Sequence, residues 1–525
     1  MIIDMQTDAL IIGCGIAGGS VALQLADSGR QVTVITRAKE AKESNTYYAQ
    51  GGIIYRGEQD TPDLLAEDVM RAGAGHCDER AVNMLAEQGP PLVKEVLLER
   101  IGVPFDRTKT GALSLAREGG HTLARIIHAT DATGKAIAST MLDVLETHPN
   151  ITLLTSYTAL DLIMSDPQSA YHPPRCLGAY LLERESGQVM RCVAQSTVLA
   201  TGGLGQVFQR TTNPLGARGD GVAMASRVGA RIINMEYVQF HPTTFAHPEA
   251  RSFLISEAVR GAGARLVHAN GEPFMQHYDA EWLDLAPRDV VARSIQAEME
   301  KHQLDHVYLD LRSYIDQEEI YAHFPTIYQT CLSYGVDISQ DLVPVAPAAH
   351  YACGGIWVDG WGQTSLMGLY AIGEASCTGL HGANRLASTS LLEGLVWGDR
   401  AAQHIEMCAD SYPLPTMAQL PTTNKYDANT RLEPQQKLHL TNIATDIAQV
   451  QDIMWHHVGL VRTTAGLEEA GRSLVQLQAD IDARYQHLPL TDQISGLQNL
   501  VQVALLITTA ALRNQVSAGC HYRVN

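Results

Sequence analysis

The chain has 525 residues, with 38 lysines and arginines against 57 aspartates and glutamates, and a formal net charge of −19 at pH 7. Non-specific binding to nucleic acid or to anionic membranes needs basic patches, so this balance argues against both partners. Hydrophobic residues make up 45% of the chain, which indicates a globular core rather than a disordered chain. At roughly 100–200 residues per domain, the length predicts about three domains.

Targeting and metal-binding patterns are absent from the sequence. The first residues, MIIDMQTDALIIGCG, show neither a basic region nor a small-residue cleavage site, and no run of about 18 apolar residues predicts a membrane span. The nine cysteines are scattered and never spaced CxxC, which is typical of reduced thiols and predicts no metal site. We therefore expect a cytoplasmic protein.

The first 36 residues predict a strand, a glycine turn, a helix and a second strand. Residues 9–12 are a short apolar run, residues 16–28 repeat apolar side chains at helical spacing before Gly29, and residues 31–35 alternate as a strand. The turn reads GxGxxG, which suits a dinucleotide pyrophosphate at the helix N-terminus, although a purely structural turn has the same pattern. Its residues are Gly13, Cys14, Gly15, Ile16, Ala17 and Gly18.

The second strand does not end in the acidic residue that usually binds the ribose. Thr36 and Arg37 stand there, so the turn alone does not distinguish flavin from nicotinamide nucleotides. Two later strands also run into glycines, at Thr201-Gly202-Gly203 and at Gly373-Glu374. Three such junctions indicate one cofactor touched by distant segments of a single sheet.

The residue composition and the spacing of apolar side chains along the chain predict an α/β fold in four regions. Residues 1–234 and 351–410 form a Rossmann-like nucleotide-binding domain, and residues 235–350 form an inserted α+β capping domain. Residues 411–436 are rich in Pro, Thr and Asn and are predicted as a linker. Residues 437–525 repeat apolar side chains at helical spacing, with Thr491 as an N-cap, and predict a helical bundle.

The segment SNTYYAQGG at 44–52, with the later ATGG and GLYAIGEA segments, resembles the succinate dehydrogenase/fumarate reductase/L-aspartate oxidase flavoprotein family. The resemblance runs from the N-terminus to about Trp397 and implies FAD. Asn45 replaces the histidine that holds flavin covalently in the membrane dehydrogenases, so it implies non-covalent FAD. Thr389 stands where the family usually has Asn. The implied cofactor-binding residues are the turn residues Gly13, Gly15, Ile16, Ala17 and Gly18 with Arg37, Ser44, Asn45, Thr46, Ala49, Gln50, Gly51, Gly52, Thr201, Gly202, Asp220, Glu374 at the ribose, and Ser390 and Leu391 at the isoalloxazine.

Four basic residues stand in apolar, glycine- or proline-rich contexts: His241, Arg288, His350 and Arg385. Taken singly, each is more often a core histidine or a surface charge. Together they could supply two anion sites and one proton acceptor, because the planar guanidinium of arginine matches a carboxylate.

The resemblance assigns roles in a dicarboxylate site. His350 and Arg385 would hold one carboxylate, His241 and Ser256 the other, and Arg288 would transfer the proton opposite flavin N5. Ala262 replaces a Glu common in the family, which we assign to a proton path of fumarate reductases, and this disfavours fumarate reduction through that path.

Aspartate differs from succinate by an ammonium group, which a pocket of Arg and His repels. Glu118, in the glycine-flanked loop REGGH, would compensate that charge, although a solvated loop carboxylate is the commoner reading. The stretch REGGHTLARIIHATDATGKAI and the later MWHHVGLVR resemble the L-aspartate oxidase branch, in which the Glu of REGGH recognises the substrate amino group.

The resemblance implies FAD-dependent oxidation of L-aspartate, or another C4 dicarboxylate, to the imine, with oxygen or fumarate as acceptor. Glu118, His241, Arg288 and His350 would be the catalytic residues. The reaction would open quinolinate and NAD synthesis and hand its imine to quinolinate synthase. A soluble fumarate reductase or succinate dehydrogenase flavoprotein and a non-catalytic flavin-binding subunit are the alternatives.

Overall fold

The computed structural model describes residues 3–165, 174–250, 253–411, 413–415, 420, 437–486, 488 and 490–524, with backbone alone at 3, 4 and 437–441. Most of the predicted linker, 411–436, lies outside the described residues. The four domain limits stay predictions.

In the described part of the chain, the strands fall into four sheets. In chain order they are β1 (Ile3–Ile12), β2 (Val32–Thr36), β3 (Ile53–Ile54), β4 (Leu115–Ala116), β5 (Ile126–Ile127), β6 (Ile151–Thr155), β7 (Tyr157–Met164), β8 (Cys176–Glu183), β9 (Val189–Leu199), β10 (Ile232–Ile233), β11 (Val238–Phe245), β12 (Arg265–Val267), β13 (Val307–Asp310), β14 (Val343–Ala352), β15 (Gly355–Trp357), β16 (Leu369–Ala371) and β17 (Ser376–Cys377).

The helices cover the faces of these sheets and form the C-terminal region. They are α1 (Ile16–Asp27), α2 (Pro62–Ala72), α3 (Glu79–Leu92), α4 (Thr133–Thr147), α5 (Asp220–Arg227), α6 (Glu257–Gly261), α7 (Arg288–His302), α8 (Gln317–His323), α9 (Pro325–Ser333), α10 (Thr389–Cys408), α11 (Lys437–Val458), α12 (Thr464–Tyr485) and α13 (Asp492–Arg513).

The largest sheet carries the glycine junctions. Its order is β6-β2-β1-β9-β8-β7, with β16 also paired to β9, and the pairs among β6, β2, β1, β9 and β16 are parallel. Ile12 pairs with Ile35 and Leu199, and Leu199 pairs with Ala371. The carboxyl ends of β1, β9 and β16 therefore lie side by side, which confirms the α/β prediction and brings the three glycine junctions to one edge.

A second sheet stands over that edge. Its order is β11-β14-β13-β12, all antiparallel, and α6 and α7 belong to the same part of the chain. His241 lies on β11 opposite Ala348 on β14, and His350 lies two residues further along β14. Arg288 is the first residue of α7. The sheet thus places the predicted basic residues close together.

The C-terminal helices pack on one another and on the large sheet's helices. α11, α12 and α13 are in mutual contact, α13 also contacts α5, and the predicted cap is confirmed because the side chain of Thr491 accepts from the backbone N–H of Ile494. By length and composition, α13 is apolar enough to cross a membrane, but 67% of its apolar window is buried inside the protein. Burial of this extent is typical of a core helix.

Candidate active site

A cavity of about 710 Å³ opens at the carboxyl edge of the large sheet, beneath the second sheet. Its size is within the range of natural ligand and cofactor pockets. It is lined by every predicted substrate residue and by every predicted cofactor residue except Gly18.

The glycine turn has the backbone that the motif requires. Gly13 has φ +113°, and a Cβ there would lie 2.1 Å from the carbonyl oxygen of Ala200. A Cβ on Gly18 would lie 2.0 Å from the carbonyl oxygen of Gly13, so Gly18 permits close packing of α1 and does not line the cavity. Gly15 caps α1 without a side-chain hydrogen bond, which leaves a helix N-terminus suited to a pyrophosphate.

Glu374 brings a carboxylate to the cavity lining, to which Thr36 contributes only a hydroxyl. Its Oε2 accepts a 2.8 Å hydrogen bond from the amide of Asn45, and its Oε1 accepts from the backbone N–H of Ala352 at 3.0 Å. Burial raises the pKa of Glu374 to about 7. The side chain at position 45 is an amide already engaged in a hydrogen bond, and an amide is no nucleophile, so these residues fit FAD held without a covalent bond.

Two charged residues on the cavity wall have protein partners. Arg37 pairs with Asp492 at 3.1 Å, and Asp220 accepts from Arg218 at 2.7 Å. Their charges are compensated before any cofactor binds. Thr389 does not line the cavity, because its hydroxyl is bound to the carbonyl of Leu386 at 2.6 Å.

The two histidines are neutral and differ in tautomer. Nδ1 of His241 accepts the backbone N–H of Thr243 at 3.2 Å, so the proton is on Nε2, which is buried and has no partner among the residues that the structure describes. Burial, reinforced by the charge of Arg288, lowers the pKa of His241 well below its usual range. A buried N–H donor in the cavity wall is suited to a substrate carboxylate.

His350 is held by its neighbours on both sides. Its Nε2 lies 2.9 Å from a guanidinium nitrogen of Arg385, which must donate, so the ring proton is on Nδ1 and faces the hydroxyl of Thr212 at 2.7 Å. Arg385 also donates to Ser390 and stacks on Tyr351, 4.4 Å from the ring centroid. These contacts fix the guanidinium that is predicted to bind one carboxylate.

Arg288 lies at the centre of a buried chain of charges. Its Nε donates to Oε2 of Glu257 at 2.6 Å, and its Nη1 donates to Gln239 at 3.1 Å. Arg260 reaches the same Glu257 oxygen at 4.0 Å. Although burial alone would raise the pKa of Glu257, Arg288 and Arg260 hold it below its usual value.

The carboxylate beside Arg288 is therefore Glu257, and the inference from Ala262 was wrong. Ala262 follows the last turn of α6 and packs against the apolar core of the second sheet. The chain nevertheless has a buried acid in contact with Arg288, so position 262 gives no argument against fumarate reduction.

Glu118 lies inside the cavity wall and not on a solvated loop. Its side chain is buried, Oε2 accepts the hydroxyl of Ser388 at 2.6 Å, and Oε1 accepts the backbone N–H of Gly52 at 3.3 Å. Burial raises the pKa of Glu118. A buried carboxylate with only two hydrogen bonds has capacity left for an ammonium group.

Ser256 joins the same wall at the N-terminus of α6. Its Oγ accepts from the backbone N–H of Ala258 at 3.3 Å, which leaves the hydroxyl proton to donate. The cavity therefore unites Ser256, His241, His350, Arg385, Arg288 and Glu118.

Sequence reasoning missed four residues of this site, namely Gln239, Glu257, Arg260 and Ser388. Ser388 has a φ of +58°, a strained left-handed backbone conformation that no local sequence pattern predicts. Glu257 directly follows Ser256 in SEAVRG, Arg260 comes three positions later, and this i, i+3 spacing on one helix face was the available signal.

Family models cover almost the whole chain. A model described as FAD binding domain matches residues 8–391, and a model described as fumarate reductase flavoprotein C-term matches residues 447–525.

Full-length relatives share both the sequence and the fold. L-aspartate oxidase 1 of Ralstonia nicotianae is 44% identical over 521 residues, with 99% of this chain and 95% of that protein covered. L-aspartate oxidase of Pseudomonas aeruginosa is 44% identical over 528 residues, with the same coverage of each. A solved E. coli quinol fumarate reductase variant is 27% identical with a TM-score of 0.88, covering 99% of this chain and 92% of that one.

Proposed function

Because the chain belongs to the L-aspartate oxidase family, we propose that its cavity oxidises L-aspartate to iminoaspartate with FAD as cofactor. The observation that carries the proposal is that one cavity is lined by the glycine turn, by the basic residues His241, His350 and Arg385, and by the buried carboxylate of Glu118. When bound, FAD accepts the hydride from the substrate carbon. The residues of the chain bind the substrate and transfer the proton.

Two sets of donors suit the two substrate carboxylates. Arg385 is held by His350, Ser390 and Tyr351 so that it can bind one carboxylate with little loss of side-chain entropy. The unpartnered Nε2–H of His241 and the hydroxyl of Ser256 suit the other. Holding both ends of a C4 dicarboxylate fixes the carbon between them, which contributes near-attack geometry.

We assign the proton transfer to Arg288. An isolated guanidinium keeps its proton up to a pH of about 12, so its use as a base needs help from neighbours. Glu257 accepts a hydrogen bond from Arg288 and lies next to Arg260, whose pKa is lowered by burial. This chain offers a relay from Arg288 through Glu257 to Arg260 that can work in either direction.

Glu118 selects the amino acid over the plain dicarboxylate. Arg288 and Arg385 carry two positive charges, and Glu257 balances only one of them. Without Glu118 this site would repel the ammonium group of aspartate, whereas an ionised Glu118 attracts it. Ser388 and Gly52 hold both oxygens of Glu118 and stabilise its charged form.

The acceptor is oxygen or fumarate. Fumarate has the two carboxylates that the site binds, lacks the ammonium group, and needs the proton relay in the opposite direction. We place the reaction in the cytoplasm, as the first step of quinolinate and hence NAD synthesis. Since the imine is labile in water, we further propose that quinolinate synthase receives it.

The test is the flavin spectrum of the anaerobic protein. L-aspartate is expected to bleach the flavin absorption band, and succinate at the same concentration is expected to leave the band unchanged. Bleaching by succinate alone would assign the chain to the dicarboxylate dehydrogenases, and a yellow protein unmoved by either would indicate a non-catalytic subunit.

A further inference from the structure

A second group of polar side chains lies at the far end of the helix that begins at Arg288. His302 is the last residue of α7, Glu298 lies one turn earlier, and His268 directly follows β12. The Nε2 atoms of His268 and His302 lie 3.3 and 3.2 Å from Oε2 of Glu298. None of the three residues lines the cavity.

We propose that His268, Glu298 and His302 bind one divalent transition-metal ion, with Zn²⁺ as the preferred ion. Tetrahedral Zn²⁺ with bonds of about 2.0–2.2 Å places neighbouring donor atoms about 3.3–3.6 Å apart. Two of the three distances between donor atoms, 3.3 and 3.2 Å, are close to this spacing. All three donor atoms lie within 4.8 Å of one another. Two imidazoles and one carboxylate form a donor set that zinc commonly uses.

The carboxylate of Glu298 is oriented but incompletely satisfied. The residue is only 3% exposed, and Oε1 accepts a 2.6 Å hydrogen bond from the hydroxyl of Tyr278. Oε2 is buried and accepts no hydrogen bond from the residues that the structure describes. Its two imidazole neighbours contact it as ion pairs only when their rings are protonated. A buried carboxylate oxygen that accepts no hydrogen bond is costly, and a metal ion between it and the two imidazoles would satisfy it.

The surroundings favour a preformed site with an open side. The ring of His268 packs against Phe274 at 5.2 Å and against His302 at 5.1 Å between centroids. The side chain of His302 is 44% exposed, which gives the ion an entry path and room for a water ligand. Lys301 contacts Oε1 of Glu298 at 3.7 Å, but its side chain is 65% exposed and can turn into solvent.

A metal here would act on stability and not on the chemistry of the cavity. It would join the segment after β12 to the last turn of α7, and α7 starts with the proton-transfer residue Arg288. An ion that binds only the folded protein raises the thermal midpoint by mass action. The inference stands independently of the proposed reaction.

The test is metal binding to the FAD-loaded protein after chelator treatment and dialysis, near neutral pH. ZnCl₂ is titrated in a calorimeter, and Co²⁺ binding is followed by its visible absorption. We expect one ion per chain, an affinity at least about tenfold lower in His268→Ala and in His302→Ala, and about tenfold lower in Tyr278→Phe, which removes only the group that orients the carboxylate.

His247→Ala is the matched control, because His247 is also half-buried and stacks on a phenylalanine, Phe245. It is expected to bind Zn²⁺ as the unaltered protein does. Retained flavin absorbance shows that each variant is folded, and added Zn²⁺ should raise the thermal midpoint of the control by more than that of either histidine variant. Binding of equal strength in all variants, or no binding at micromolar Zn²⁺, would overturn the proposal.

Discussion

Nε of Arg288 lies 2.6 Å from Oε2 of Glu257, and both side chains are at least nine-tenths buried. A buried ion pair of this kind contributes little net stability, because desolvation offsets the attraction. Its position in the cavity wall instead suits proton transfer: Glu257 can share the proton of Arg288 and pass it towards Arg260. The proposed mechanism depends on this contact.

Glu257→Gln should lower kcat by about 100-fold or more for L-aspartate oxidation and for fumarate reduction alike, since general acid–base groups contribute about 10²–10⁴-fold. Both directions use the same relay, whereas the flavin site is untouched. The measurement is steady-state kinetics in both directions, with Glu249→Gln, an exposed glutamate, as control. A selective loss of one direction would contradict a shared relay.

Arg288→Leu should abolish both activities while the purified protein stays yellow. The side chain reaches the substrate wall but does not belong to the glycine turn. Flavin content by absorbance separates the two roles: a colourless variant would mean that Arg288 is structural.

The KM for L-aspartate should rise as pH falls through the raised pKa of Glu118. Burial raises that pKa, so the carboxylate loses its charge at a higher pH than an exposed glutamate would, and the ammonium group loses its partner. The hydrogen bond from Ser388 lowers the same pKa, so Ser388→Ala should shift the rise to higher pH. The KM for fumarate, which has no ammonium group, is the internal control in each pH series.

The loop that carries Glu118 is anchored by Asp68, on α2. Oδ2 of Asp68 accepts from Nη1 of Arg125 at 2.6 Å and from the backbone of Thr122 at 2.9 Å, and both Asp68 and Arg125 are fully buried. Asp68→Asn should destabilise the protein by about 3 kcal/mol, the lower end for breaking a buried pair, because Asp60 still pairs with Arg125.

Chemical denaturation measures this loss, and Glu67→Gln, an exposed neighbour on α2, is the matched control. The KM for L-aspartate should rise with the loss of stability. An unchanged midpoint would show that Asp68 does not anchor the loop.

The flavin should be released in full by acid precipitation. Asn45 stands in the cavity wall with its amide bound to Glu374, and an amide forms no bond to flavin. Absorbance of the supernatant and of the pellet after precipitation measures the release. Flavin retained in the washed pellet would show a covalent link elsewhere in the chain.

The elements at the cofactor turn follow from local sequence. The predicted strand 9–12, the helix from residue 16 and the strand 31–35 correspond to β1, α1 and β2, because glycine turns and apolar periodicity act over a few residues. The cap at Thr491 is local for the same reason.

The contacts between side chains inside the site could not be predicted from local sequence. Ser388 meets Glu118 across 270 positions, and Asp68 meets Arg125 across 57. Side chains so far apart in sequence meet only through the tertiary fold, and no periodicity encodes them. Position 262 was misassigned because the motif alone does not show which position of SEAVRGAGAR faces Arg288; the first turn of α6 places Glu257 there.

Glu118→Gln, compared with the unaltered enzyme on two substrates, tests the role of Glu118 most directly. The substitution keeps the size of the side chain and removes its charge. A hydrogen bond to a charged group contributes about 1.5–3 kcal/mol, so kcat/KM for L-aspartate should fall by about 10–100-fold while kcat/KM for fumarate changes little. An equal loss for both substrates, or no loss for L-aspartate, would contradict the assignment of Glu118 to the amino group.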